Sequence, residues 1–147
     1  MEVCLKFKKE KINKNKLEII KNFVLFLNGE FPLKKDITIV FTAKSEGKMT
    51  TGSDNKGTLK VLMKGRMFID VLRTLAHEWV HEHQMDVLKR KKGPDIGGQN
   101  EDEANAFAGR LIKMFEKENP EMEQLMYEHK GINNKLLILE ERIIKEQ

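Results

Sequence analysis

Three of the chain's four histidines fall within seven residues, and two of them bracket an acid in the order His77-Glu78-Trp79-Val80-His81. On a helix, residues four apart lie one turn above each other, so His77 and His81 share a face and can bind one metal ion. Glu78, beside them, can reach a water molecule next to that ion without being a ligand. Two nitrogen ligands and a neighbouring carboxylate base are the division of labour that metal-assisted hydrolysis needs. With 4 His in 147 residues, chance alone gives this pattern roughly 0.01 times.

A catalytic zinc site usually has three protein ligands and one open position. The third candidate is Glu101. On a helical wheel with Glu101 at zero, Ala104, Ala108, Leu111 and Phe115 centre near about 310°. Glu101 lies roughly 50° from that apolar centre, Glu103 roughly 110° and Asp102 roughly 150°. Acids are favoured at a helix N-terminus, which accounts for three of them here but not for one on the buried side. Alanines at 104 and 108 allow close approach of a second helix. Asn105, one turn beyond Glu101, is suited to hydrogen-bond its carboxylate. Two His, one carboxylate and an open position suit a single zinc ion, with manganese or cobalt as alternatives.

Other residues compete for roles. His83 is about 200° around the helix from His81 and cannot join the same ion. His129 is an alternative third ligand, in a polar segment that reads as surface. Tyr127, the only tyrosine, could stabilise an oxyanion or simply pack. Trp79 reads as core. Cys4, the only cysteine, excludes an internal disulfide and a cysteine cage. Lys89-Arg90-Lys91-Lys92 reads as a solvated cap at a helix C-terminus.

The run His77-Glu78-Trp79-Val80-His81, followed by Glu101-Asp102-Glu103-Ala104-Asn105-Ala106-Phe107-Ala108, resembles the gluzincin metallopeptidases. It is most similar to the ImmA/IrrE-type family, whose pattern is HExxH and then E-x-x-A-N-x-F-A. The resemblance spans Leu75–Ile112. It implies zinc ligands at His77, His81 and Glu101, a catalytic glutamate at Glu78, a zincin-like domain and cleavage of a protein or peptide substrate. Leu111-Ile112-Lys113-Met114 continues without the proline the family often has. The length leaves no room for the DNA-binding or sensor domains of some relatives. A short, lysine- and asparagine-rich form suits a phage or mobile element, acting in the host cytoplasm.

These residues need elements to hold them. Apolar spacing predicts a helix over 13–28, with Asn13 as N-cap and Gly29 as stop. Asp36–Thr42 and Thr58–Lys64 alternate as strands, with a further short strand near Lys48–Thr51. A long helix is expected from Met67 to Arg90, carrying Phe68, Leu72, Leu75, Trp79 and Leu88 on one stripe and ended by Gly93-Pro94. Another is expected over 100–118, with Ala104, Phe107, Ala108, Leu111 and Phe115 inward. Residues 119–147 read as a helical extension broken at Gly131, anchored by Leu136, Leu137, Leu139 and Ile143. The expected fold is one α+β domain over 1–147. Its first element is a helix, followed by a short antiparallel or mixed sheet, and its helices lie on one face.

Composition sets outer bounds. Hydrophobic residues are 39% and charged residues 34% of the chain, enough apolar material for a core and against wholesale disorder. No apolar run is long enough for a membrane span, and the start lacks a signal-peptide pattern, so the expected compartment is cytoplasmic. Residues 1–66 carry 15 Lys+Arg against 7 Asp+Glu, and residues 67–147 carry 12 against 16. A basic front half can attract nucleic acid. Only 5 of the 27 basic residues are arginine, the residue favoured for reading bases and clamping phosphates, which argues against it.

Three functions compete. The first is a zinc endopeptidase with Glu78 as general base, binding substrate along strand 48–51 or 58–64. The second is a structural or binding module stapled by its metal, which would have no use for Glu78. The third is an SprT-like protease acting on DNA-bound proteins.

Overall fold

The computed structural model describes residues 1–8, 12–43, 52–54, 57–91, 98–127 and 140–145, of which 52–54 and 140–145 are described by backbone alone. In chain order the elements are β1 (Glu2–Phe7), α1 (Lys14–Glu30), β2 (Ile37–Thr42), β3 (Gly52–Asp54), β4 (Thr58–Leu62), α2 (Phe68–Asp86), α3 (Gln99–Glu118), α4 (Pro120–Met126) and β5 (Glu140–Lys145). The fold is α+β.

The chain opens on a strand and not on the expected helix. In β1, Val3, Leu5 and Phe7 are buried while Lys6 between them is exposed. This period-two pattern is the strand signal, obscured by the lysines that follow it. The sheet order is β3-β4-β2-β1-β5. β1 pairs with β2 and β2 with β4 in parallel, and the antiparallel pairs, β3 on β4 and β5 on β1, are confined to the edges. The sheet is therefore mixed with a parallel centre, and the antiparallel alternative does not hold. The cause is α1, which lies between β1 and β2 in the chain. A helical crossover returns the chain to the end where it began, so the second strand runs parallel to the first.

In register, Leu5, Ile39 and Leu59 form one cross-strand row, and Phe7, Phe41 and Val61 the next. The Phe7 and Phe41 rings stack with centroids 4.8 Å apart. These rows join one apolar cluster with Ile20, Phe23 and Leu27 of α1, Leu72, Leu75 and Trp79 of α2, and Ala108, Leu111 and Phe115 of α3. The row Lys6, Val40, Lys60 lies on the other side of the sheet. The helices thus cover one face, as expected.

α1 begins where expected: the Asn13 side chain accepts the Lys16 N–H at 2.8 Å. It passes through Gly29 and ends at Glu30. α2 is aimed by Arg66, whose guanidinium donates to the Leu62 carbonyl at the end of β4, and to the Asp70 carbonyl and Thr74 hydroxyl of the helix. Gly65, at φ 77°, makes the turn between them. The helix stops at Asp86, short of Arg90. Lys89 takes φ 57° and the Arg90 N–H bonds back to the Gln84 carbonyl. Leu88, expected on the buried stripe, is exposed.

Pro120 opens α4, which accounts for the first part of the expected extension. Residues 140–145 are strand and not helix: Glu2 to Lys6 of β1 supply a partner edge from the far end of the sequence. The expected strand at 48–51 and residues His129, Gly131, Leu136, Leu137 and Leu139 lie outside the described residues.

Candidate metal centre

His77, Glu78 and His81 lie in the middle of α2, and Glu101 lies in the first turn of α3. The two helices run antiparallel. Glu101 meets His81, and Asn105, four residues on, is within hydrogen-bonding reach of His77, four residues back. Ala104 and Ala108 are fully buried along this contact, which allows the helices to pack closely enough for short side chains to meet.

Three side chains converge. His81 Nε2 is 3.1 Å from His77 Nε2 and 2.8 Å from Glu101 Oε1, and His77 Nε2 is 3.2 Å from Glu101 Oε2. Donors bonded tetrahedrally to zinc at about 2.0–2.1 Å stand about 3.3 Å apart, so this spacing suits one small divalent ion. These three residues are the described group able to hold a metal. Their side chains are 16, 20 and 19% exposed, open enough to admit a ligand on one side.

Glu78 stands beside the cluster and outside it. Its Oε2 is 4.0 Å from His77 Nε2, and the group able to hold one ion does not include it. Burial holds the His77 ring below the ordinary imidazole range. The Glu101 carboxylate opposes this and the His81 ring adds to it. A neutral ring at neutral pH is what a metal ligand must be.

Each of the two histidine rings has an amide against it. His81 Nδ1 is 2.9 Å from Gln84 Oε1. Asn105, expected to bond Glu101, is set against His77 instead. Gln84 is a residue that sequence reasoning overlooks, and its position three after His81, on the same helical face, is the signal that finds it. Around it, Arg90 contacts Glu103 at 2.6 Å and Asn100 Oδ1 at 3.3 Å, so the solvated cap expected at 89–92 does not describe Arg90. Glu103, expected to face outward, is half-buried in this network, while Asp102 is exposed.

The remaining candidates fall elsewhere. His83 Nδ1 bonds the Pro32 carbonyl at 3.0 Å, away from the cluster as expected. Trp79 is fully buried and its Nε1 donates to the Phe31 carbonyl at 2.8 Å. Tyr127 is exposed and not packed, and its hydroxyl donates to Glu116. That bond pushes its pKa up to about 12. Glu116 lies fifteen residues beyond Glu101, about 22 Å along α3, so Tyr127 is out of reach of the centre. Cys4 is a buried cysteine on β1, outside any disulfide. Among the described residues, no helix is long and apolar enough to cross a membrane. Comparison of the chain with protein-family models, with curated proteins and with solved structures gives no match in any of the three.

Proposed function

We propose that this protein is a zinc-dependent endopeptidase of the gluzincin type, in a zincin-like domain similar to the ImmA/IrrE-type family. The observation that carries the reading is the convergence of His77, His81 and Glu101, with the Glu78 carboxylate adjacent but not a member of the set. A site built only to staple the fold would have no need of that fourth group. When bound, zinc supplies a Lewis acid for the scissile carbonyl and lowers the pKa of water.

The chain's own residues do the rest. His77, His81 and Glu101 hold the ion in a set with one side open. Glu78 takes a proton from the attacking water and passes it to the leaving amine, a role worth about 10²–10⁴ in rate. Substrate orientation falls to a sheet edge. β4 is paired on both sides, by β2 and β3, so 58–64 is not available for it. Among the described residues β3 ends the sheet on that side and packs near α2, and an extended peptide added to it would run beside that helix.

Glu78→Gln tests the reading, since it preserves shape and removes the base. The variant is expected to fold, to bind one zinc and to co-purify with a protein that the wild type cleaves. Wild-type protein, purified without a nickel column, that carries no divalent metal by elemental analysis would overturn the whole reading. A variant that cuts the trapped protein at the wild-type rate would remove Glu78 from its role.

A further inference from the structure

We propose that Gln84 is a positioning residue that holds the proton of His81 on Nδ1, so that Nε2 presents its lone pair to the metal. This rests on the reading of His81 as a ligand. The side chain is 2% exposed. Its Oε1 is 2.9 Å from His81 Nδ1, and its Nε2 donates to the Asn100 carbonyl at 3.1 Å. The same amide reaches the Glu103 carboxylate.

A neutral imidazole has one N–H and one lone pair, and which nitrogen holds the proton depends on what each faces. An amide can present either its oxygen or its NH₂ to a ring, and only its partners decide. Here the NH₂ side faces a backbone carbonyl and a carboxylate, and both are acceptors. Turning the amide over would set its oxygen against two oxygens. Oε1 is thereby committed to His81, and His81 must answer with Nδ1–H.

Glu103 is held in place from its far side. The Arg90 guanidinium donates to its Oε1 at 2.6 Å and the Gln99 amide to its Oε2 at 3.0 Å. The Arg90 N–H in turn bonds the Gln84 carbonyl. The late end of α2, Arg90 and the first turn of α3 thus form a polar buttress behind one metal ligand. Outer partners of this kind change metal affinity typically 10–100-fold.

The test uses zinc itself as probe, on the full chain. Zinc affinity is measured by competition with a chromophoric chelator for wild type and Gln84→Met, which keeps the side chain's length and removes its acceptor. The expected result is a loss of about 10–100-fold in affinity with one-to-one stoichiometry retained. In the zinc-loaded wild type, NMR of the His81 ring is expected to show an Nδ1 proton protected from solvent exchange. Equal zinc affinity in the two proteins, with only a lower melting temperature for metal-free Gln84→Met, would make Gln84 structural and overturn the proposal while leaving the metal reading intact. Should the variant fail to fold, the wild-type spectrum still decides: a freely exchanging Nδ1 proton overturns it. Wild-type protein that binds no zinc overturns both.

Discussion

α2 carries histidines and acids on two sides, and the two sides are built differently. Toward α3, His77, His81 and Glu101 point at one another, with their ring nitrogens and carboxylate oxygens 2.8–3.2 Å apart. Toward the segment 31–35, Trp79, His83 and Asp86 each meet a hydrogen-bond partner, and Glu82 has an ion-pair partner while its carboxylate oxygens accept no hydrogen bond. Asp86 accepts the backbone N–H groups of Lys34 and Lys35 at 2.6 and 3.2 Å. Glu82, fully buried, has Lys35 Nζ at 2.9 Å. His83 and Trp79 take the carbonyls of Pro32 and Phe31. Residue type alone does not separate a site from a clasp. What separates them is geometry: on one side each group meets a fixed group of the segment 31–35, and on the other three side chains converge within reach of a single ion.

This contrast can be broken from either side. The largest effect is expected from the converging set. His81→Ala or Glu101→Ala should abolish or strongly weaken zinc binding, while Asp102→Ala, on the exposed side of α3, should not. With free zinc at 100 times its dissociation constant, the lost binding would remove about 2.7 kcal/mol of stability. Elemental analysis and thermal melts with and without a chelator check this.

The clasp should respond in the opposite sense. Asp86→Ala leaves two N–H groups without their acceptor and should cost about 2–3 kcal/mol, or roughly 5–10 °C in melting temperature. Zinc stoichiometry should not change. If Asp86→Ala strips the metal as fully as His81→Ala does, the two sides are one cooperative unit.

The smallest effect sharpens the electrostatic side of the comparison. Because burial lowers the His77 pKa, the unfolded chain takes up this proton first, near about pH 6.5. Stability from the neutral ring is thus present above that pH and is lost as pH falls through the lower folded value. In chelator-treated protein, the melting temperature of the wild type should fall more between pH 8 and pH 5 than that of His77→Gln. Parallel curves would show that the ring pays no burial penalty.

Much of the centre was legible because its geometry is local. His77 and His81 owe their common face to helical periodicity, and the side of α3 bearing Glu101 followed from the same arithmetic on Ala104, Ala108, Leu111 and Phe115. What escaped is what depends on distant residues. Glu140–Lys145 is rich in residues that tolerate a helix, and only pairing with β1 makes it a strand. The parallel centre of the sheet was hidden because β1 was, since a crossover needs both its strands. Gln84, Arg90 and Glu103 look like ordinary surface polar residues until the turn after Asp86 folds them together.

The pairing of β1 with β5 has a consequence in time. β1 is synthesised well ahead of its outer neighbour, since Glu2 is set against Lys145, 143 residues later. At translation rates of about 5–20 residues per second, that edge waits on the order of 10 s for its cover. During that interval β1 presents unanswered backbone groups to any other extended chain. Closure of the sheet therefore waits on the synthesis of every element between the two strands, and it depends on a slow kind of contact, between residues distant in sequence.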